Sequence, residues 1–527
     1  MKSIEMPNLL SPSVTRVLKW IAIFSVAILI LLLVAGKILS SYVTREVRSK
    51  FEEAGGKIGD LDISLITRSI TVSNIDFAEK GSLESSVASK AQIERVTLSR
   101  INVYQLIANK ALLIGEAEIA NGDVLFNRAN VSEDTVASND KKGLQQLSIE
   151  RVTLTDINFS IVNDSINEYS GVLNASVNGI NSSDTAGIAE VAAYDIDNLE
   201  FQINGLKISN PKLYSIEIGN IAASSNDSNL NIDSIRLTPK YEKFKFAKVA
   251  GKQIDRINTF IRKIEIDGLK YDHLRDSSFV ASKIKIIEGE VHSFRDKREP
   301  FKETKVKPLP IAALREVNFG VKVDTIMIQD SKVEYEEFAP EGFESGTIVF
   351  EDLNAVLTNL TNLKDSIQKE YATLNASAKL MGEAQIDATF QLPYDERKPY
   401  VAKGTIGGMP LENLNSPLQN LAFVRIQSGT LEGLTFNFTY DDISSNGKVT
   451  INYRDLKIDG LKKDKKNVIN DLKTLLINTV IKNDKDKEVP LEKRTGNVNF
   501  ERDRKRQIFN FWWKSLFSGI KSSVIDS

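Results

Sequence analysis

From about residue 60 to residue 455, hydrophobic and polar residues alternate in short runs separated by polar turns. In the clearest run, Leu434, Phe436 and Phe438 alternate with Thr435 and Asn437. A period of two predicts strands with one buried face and one wet face, as in antiparallel sheets. The pattern therefore predicts a mainly β fold, with a long, curled antiparallel sheet that forms an open groove and carries short helical insertions.

The polar stretch 441–447 separates this run from a second one, which contains Val449 and Ile451. The stretch ends in Asn446-Gly447, a pair that is frequent in tight hairpin turns. We predict a hairpin whose loop ends at this pair.

Four segments, 115–128, 149–163, 261–274 and 323–338, share one pattern of two alternating apolar residues, Asp or Asn, and a second apolar pair. The step across the polar residue is odd in each segment, which would turn the second pair to the opposite face of a regular strand. A bulge or tight turn at the polar residue would restore the face. We interpret the segments as a divergent, irregularly spaced repeat, with coincidence as the alternative.

Short helices are predicted where the alternation stops, at 102–110, 252–260 and 310–317. Two polar stretches, 131–142 and 297–308, are rich in charged residues, Ser or Pro and are interpreted as ordinary surface loops.

Near the N-terminus, seventeen uncharged residues lie between Lys19 and Lys37, enough for about 26 Å of helix. We predict a cytoplasmic tail at 1–16 and a retained transmembrane anchor at 17–39. A cleaved signal peptide or a buried helix is the alternative, but the long polar stretch before the span favours retention. The flanking charges leave the orientation open. The predicted anchor residues are Trp20, Ile21, Phe24, Ile28, Leu31 and Val34.

The C-terminal residues 461–527 differ from the rest because Lys and Arg outnumber Asp and Glu there, and we predict a basic helical segment. Its last apolar stretch contains Trp512, Trp513, Leu516 and Phe517 on a predicted helix. Such a helix either lies in a membrane interface or packs against the open end of the sheet. The β-rich body between the anchor and this segment is divided into regions 43–300 and 301–460.

The composition removes most catalytic chemistry. The chain has no Cys, two His and a net charge of -2, which exclude disulfides, thiolate metal sites and a strongly basic nucleic-acid binder. No phosphate-binding loop, nucleophile elbow or paired-His zinc motif is present in the sequence. We predict no enzymatic activity, no catalytic residue, no metal and no cofactor, and we interpret His273 as a surface residue.

Segments 61–77, 93–126, 307–337, 346–362, 404–442 and 447–461 resemble AsmA-like envelope proteins of the Bacteroidetes type. They include LDISLITRSITVSNIDF at 61–77 and KPLPIAALREVNFGVKVDTIMIQDSKVEYEE at 307–337. The family is related to bridge-like lipid-transfer proteins. The resemblance implies an inner-membrane anchor with the bulk of the chain in the periplasm, and a role in moving phospholipid toward the outer membrane.

On this basis we expect phospholipid acyl chains, the inner membrane and another envelope protein as partners, and no nucleic acid. The alternative is a non-enzymatic envelope scaffold or outer-membrane assembly factor that closes its own core; a periplasmic hydrolase is disfavoured by the missing motifs. The residues expected to share one apolar surface in contact with acyl chains are Ile264, Ile266, Ile326, Ile328, Leu434, Phe436, Phe438, Val449 and Ile451.

Overall fold

The computed structural model describes residues 56–64, 66–78, 89–109, 111–127, 146–163, 166–182, 194–209, 212–275, 277–422, 424–460 and 494–524. The predicted anchor at 17–39 lies outside these ranges. Within them, no helix is both long enough and apolar enough to cross a membrane. The chain divides into two compact units between Ile232 and Asp233, so the predicted boundary at 300/301 lies inside the second unit.

Unit 1 is an open, mostly antiparallel sheet in which β1 and β2 pair with β3, followed in order by β4, β5, β6, β7, β9 and β10. Its one described helix, α1 (Val103–Asn109), agrees with the prediction at 102–110. The strands are β1 (Gly56–Lys57), β2 (Leu61–Ser64), β3 (Ser69–Ala78), β4 (Lys90–Ser99), β5 (Ala111–Asn127), β6 (Gln146–Asn163), β7 (Ile166–Ser182), β8 (Tyr194–Asp195), β9 (Asn198–Ile208) and β10 (Tyr214–Ser224).

Strand β11 (Asn229–Pro239) contains the division between the units. In unit 2 the strands again form an open, mostly antiparallel arrangement, and they lie side by side in the order β12, β13, β14, β15, β16, β17, β18, β20, β21 and β22. These strands are β12 (Asp255–Asp267), β13 (Ser278–Asp296), β14 (Gly320–Phe338), β15 (Ser345–Thr361), β16 (Tyr371–Leu380), β17 (Ala384–Pro393), β18 (Tyr400–Ile406), β19 (Met409–Pro410), β20 (Val424–Tyr440), β21 (Ser444–Gly460) and β22 (Thr495–Glu501).

The helices of unit 2 are short, except the last. They are α2 (Lys243–Ala250), α3 (Tyr271–Arg275), α4 (Pro310–Arg315) and α5 (Ile508–Val524), with an irregular helical segment at 411–422 that we call the connector. Helix α4 agrees with the prediction at 310–317. The helix predicted at 252–260 is wrong, because that stretch enters strand β12 and the helix lies earlier, at α2.

Each unit contains one parallel pair, β5 with β6 and β13 with β14, so the predicted all-antiparallel arrangement is only partly correct. A parallel pair needs a connection that returns the chain to the starting end of the first strand. In unit 2 this connection is 297–319. It includes the stretch that we interpreted as an ordinary surface loop.

In three of the four repeat segments, the polar residue between the two apolar pairs has a backbone φ in the left-handed region. Asn121, Asp156 and Asp330 have φ of 54°, 51° and 49°, and the register shifts beside Asp156 and Asp330. Such a residue inserts one extra position, so apolar residues on both sides of it keep one face. The register shift confirms the predicted bulge at Asp156 and Asp330, while the strand pairs on both sides of Asn121 keep their register. In 261–274 the strand instead stops at Asp267, Gly268 turns with φ 65°, and α3 follows.

Two further predictions are corrected. The hairpin of β20 and β21 turns at 441–443, where the Asp441 carboxylate accepts hydrogen bonds from the amides of Ile443 and Ser444. Asn446 and Gly447 are already paired inside β21. The C-terminal segment is not all helical, since β22 lies within it.

Candidate functional site

One side of the unit 2 sheet is apolar across nine strands. Residues that pair across neighbouring strands point to the same side, and the register joins Ile266 to Ile284, Ile284 to Ile326 and Ile326 to Leu357. The row continues through Leu374, Phe390, Ala402 and Phe438 to Gly447. We call this side the apolar face. All nine residues that the sequence assigned to one surface lie on it: Ile264, Ile266, Ile326, Ile328, Leu434, Phe436, Phe438, Val449 and Ile451.

The opposite side carries polar and charged residues. Glu265 there binds two lysines, Lys263 at 2.8 Å and Lys285 at 3.3 Å. The Lys263 hydrogen bond is the main reason that the pKa of Glu265 lies below its ordinary value. Because these charged side chains are paired with each other and still partly accessible, we take the side that carries Glu265 as the one that faces water.

The apolar face has a covered half, formed by β18, β20, β21 and β22. Val449, Phe438, Leu434 and Ile451 are buried there, with 0%, 3%, 4% and 6% of their surface exposed. Three elements lie against it: helix α5, the connection 297–319 and the connector. These residues form a closed core and offer no accessible surface.

Helix α5 closes the edge of the sheet. The Ser518 and Ser522 hydroxyls accept hydrogen bonds from the edge-strand amides of Asn499 and Asn497. A Cβ at Gly519 would lie 2.5 Å from Val449 Cγ2, so only glycine allows this close approach. The helix therefore satisfies backbone donors that an edge strand would leave open.

Aromatic contacts fix the first turns of α5. The Trp512 ring stacks on Phe390 at 4.1 Å between centroids, and the Phe511 ring meets Tyr440 edge-on at 5.7 Å. Burial raises the pKa of the Tyr440 hydroxyl. Of the residues proposed for an interfacial helix, Trp512 and Leu516 belong to this core, whereas Trp513 is 47% exposed.

The connection 297–319 adds Leu309 and Ile311 to the same core, with 4% and 1% exposed. Its backbone is held by the C-terminal segment, since the Lys307 amide donates to the Arg504 carbonyl at 2.7 Å. The buried Arg502 guanidinium binds the Lys307 carbonyl and the Asp442 carboxylate. The polar sequence at 297–308 gives no indication that this connection covers the core.

The connector bridges a gap where β16, β17 and β18 are too short to pair with the ends of β15 and β20. On one side, the Asn415 amide exchanges two hydrogen bonds with the backbone of Ile426, at 2.9 and 2.8 Å. On the other side, Ser416 accepts from the Thr347 amide at 3.0 Å and Asn420 donates to the Ser345 carbonyl at 3.0 Å. Hydrogen bonds from side chains of the connector thus replace the backbone pairing that a strand would provide here.

The open half of the apolar face is formed by β12 to β17. Ile264, Ile326 and Ile328 are only half-buried there, while Ile266, at the end of β12, is buried. A cavity of about 700 Å³ lies along β14 to β18 and β20, and its lining combines residues from both sides of the sheet, with Asn375, Asp387 and Lys403 from the polar side. Its apolar lining includes Ile328, Ala355, Ala376, Ala388, Gly404 and Phe436.

The apolar-face residues that line this cavity are mostly small. Ala355, Ala376, Ala388 and Gly404 are consecutive partners in the register and form one row across four strands. A Cβ at Gly404 would lie 2.7 Å from the Phe436 ring, so that ring rests on the glycine. Sequence analysis missed the row because Ala and Gly add little to a hydrophobic pattern; Ala388, between Ile386 and Phe390, was its only signal.

One cluster outside the apolar face has the composition of a metal site. His292, Glu334 and Glu336 place one ligand atom each within 4.8 Å of one another. Lys243 Nζ lies 2.5 Å from Glu336. Burial raises the pKa of that carboxyl, but the hydrogen bonds from Lys243, Ser345 and His292, together with the Lys243 charge, hold it below its ordinary value. The Lys243 ammonium group therefore already supplies the positive charge that a metal ion would bring to Glu336. His273 lies exposed on α3.

No protein-family model matches the chain, and no curated protein matches it by sequence.

Proposed function

We propose that the open half of the apolar face binds phospholipid acyl chains, and that the protein is a membrane-anchored envelope protein that holds or transfers phospholipid toward the outer membrane. The observation that carries the proposal is the open half itself, where Ile264, Ile326 and Ile328 remain half-exposed and no described element covers them as α5 covers Val449.

The site suits a ligand with a long apolar part. The row across the middle of the face consists of Ala and Gly with Ile328 and Phe436 at its ends, and the row itself contains no charged residue. Polar residues such as Asn375 and Thr389 lie one position away along the strands, on the wet side. Acyl chains could lie on the row while headgroups remain in water.

Orientation, the periplasmic location and transport toward the outer membrane come from the resemblance and belong to the proposal. The covered half favours a second candidate function, a scaffold with a closed core, because there the same alternation is buried completely. The two functions differ in whether the open half is occupied by lipid.

The test compares Ala376→Trp, which places a large ring on the row of small residues, with Asn375→Trp on the polar side of the same strand. The full chain is extracted from membranes in polymer-bounded discs, and a photoreactive benzoylphenylalanine at Ile326 reports contact with phospholipid by mass spectrometry. We expect crosslinked phospholipid in the wild type and in Asn375→Trp, and a loss of about tenfold in Ala376→Trp.

The same photoreactive residue at Thr325, on the wet side of β14, provides the background level from the surrounding disc. Equal crosslinking from Ile326 and Thr325, or an undiminished yield in a folded Ala376→Trp variant, would reject lipid binding and favour the scaffold.

A further inference from the structure

Helix α5 has a second apolar stripe that the core does not use. Phe509, Trp513 and Phe517 recur every four residues and therefore lie along one side of the helix. Phe509 is 73% exposed and Trp513 is 47% exposed, while the Trp513 and Phe517 rings contact each other at 6.0 Å. We call these three residues the outer stripe.

The outer stripe is separate from the residues that hold the helix in place. Phe511, Trp512 and Leu516 belong to the core, and Ser518 and Ser522 bind the edge strand. Removing the outer aromatic rings would leave these contacts in place, apart from the edge-on contact that the Phe509 ring makes with Trp512 at 5.4 Å.

The surroundings of the stripe are strongly basic. Residues 502–524 contain six basic residues and one acidic residue, and α5 itself carries no acidic side chain. Lys505, Lys514 and Lys521 form no ion pair within the described part of the chain. Exposed aromatic rings next to unpaired lysines are complementary to an anionic lipid surface, where rings insert at the headgroup level and lysines attract the lipid charge.

We propose that the outer stripe of α5 docks the C-terminal end of unit 2 onto an anionic lipid bilayer. This docking is independent of the lipid site on the apolar face, because none of the outer rings contributes to the cavity lining. One side of α5 binds the edge of the sheet through Ser518 and Ser522, and the outer stripe on its other side contacts the membrane.

The experiment uses the full chain in proteoliposomes of phosphatidylcholine and measures recruitment of a second, fluorescent population of vesicles. We expect recruitment of vesicles that contain phosphatidylglycerol, weak recruitment of pure phosphatidylcholine vesicles, and release at high salt. Phe509→Ser combined with Trp513→Ser should reduce recruitment by at least about tenfold. Phe343→Ser, which removes an 86% exposed ring on the hairpin between β14 and β15, is the matched control and should have no effect.

A charge variant tests the electrostatic part without touching the rings. Lys505→Gln with Lys521→Gln should weaken recruitment by about fivefold per lysine, whereas Lys364→Gln with Lys369→Gln should not. Recruitment that is insensitive to phosphatidylglycerol, or that survives the aromatic variant, would overturn the proposal. So would protection of Trp513 from a soluble quencher without acceptor vesicles, because the stripe would then be covered by another part of the chain or by a protein.

Unchanged crosslinking of phospholipid at Ile326 in the docking variants distinguishes this inference from the lipid site. A variant that loses vesicle recruitment but keeps the crosslink supports both assignments, and one that loses both contradicts their independence.

Discussion

The two halves of the apolar face have the same sequence pattern and different environments. Phe438 and Val449 in the covered half are almost fully buried, whereas Ile326 and Ile328 in the open half remain half-exposed on the same side of the sheet. The difference comes from elements far away in the sequence, α5 above all. The alternation within a strand thus shows which side is apolar, but it does not show which element covers that side.

The covered half shows what closure requires. A helix needs glycine at the point of closest approach, serines for the edge amides and aromatic rings to fill the space, and Gly519, Ser518, Ser522 and Trp512 provide these. The open half has no comparable element among the described residues. Its row of alanines and Gly404 leaves space instead.

The largest expected contrast comes from placing a charge in each half. Val449→Asp should destabilise unit 2 by roughly 3–5 kcal/mol or more, because its carboxylate would be buried under α5 without a partner. Ile328→Asp should cost about 1–2 kcal/mol, since its carboxylate can reach water.

The measurement is urea unfolding of the full chain followed by tryptophan fluorescence, which reports on α5 through Trp512 and Trp513. Thr435→Asp on the polar side is the control and should change stability by no more than about 0.5 kcal/mol. Equal losses for Val449→Asp and Ile328→Asp would show that the open half is closed in solution.

A second contrast lies within α5. Phe511→Ala should destabilise unit 2 by about 3–5 kcal/mol, because it removes a ring that is 2% exposed and packs against Tyr440. Phe509→Ala should cost no more than about 1 kcal/mol, because its ring is 73% exposed and meets Trp512 edge-on at 5.4 Å. The same unfolding measurement checks both values, and a large loss in Phe509→Ala would contradict the assignment of its ring to the outer stripe.

The smallest contrast concerns pH. The Asp296 side chain is 1% exposed and binds Arg298 through two oxygens, at 2.9 and 2.8 Å. Burial raises the pKa of this carboxyl, but the Arg298 hydrogen bonds outweigh burial and hold the pKa below 3.8. A lowered pKa adds stability above pH 3.8, and this contribution disappears as the pH falls through the folded-state value.

We therefore expect Asp296→Asn to cost about 1–3 kcal/mol at neutral pH and much less in strong acid. In the covered half, by contrast, the buried charge of Arg502 remains at any ordinary pH. Urea unfolding of wild type and Asp296→Asn at several pH values checks this. A difference between them that does not change with pH would place the effect outside this ion pair.

The sequence by itself determined the period of two, the side of the sheet on which the nine apolar residues lie, and the positions of three left-handed breaks. These features are local: side-chain alternation follows from strand geometry, and Asn or Asp tolerates positive φ at Asn121, Asp156 and Asp330. Helices α1 and α4 were also predicted, since each interrupts the alternation.

Only the tertiary structure decided which strands pair in parallel, how the 297–319 connection and the connector contribute, and where the apolar face is covered. A strand under a helix and a strand beside a cavity have the same alternation, because the pattern records only that one side avoids water. The contact of Trp512 with Phe390 and the exposure of Trp513 depend on residues more than a hundred positions apart. No periodicity within a single segment contains that information.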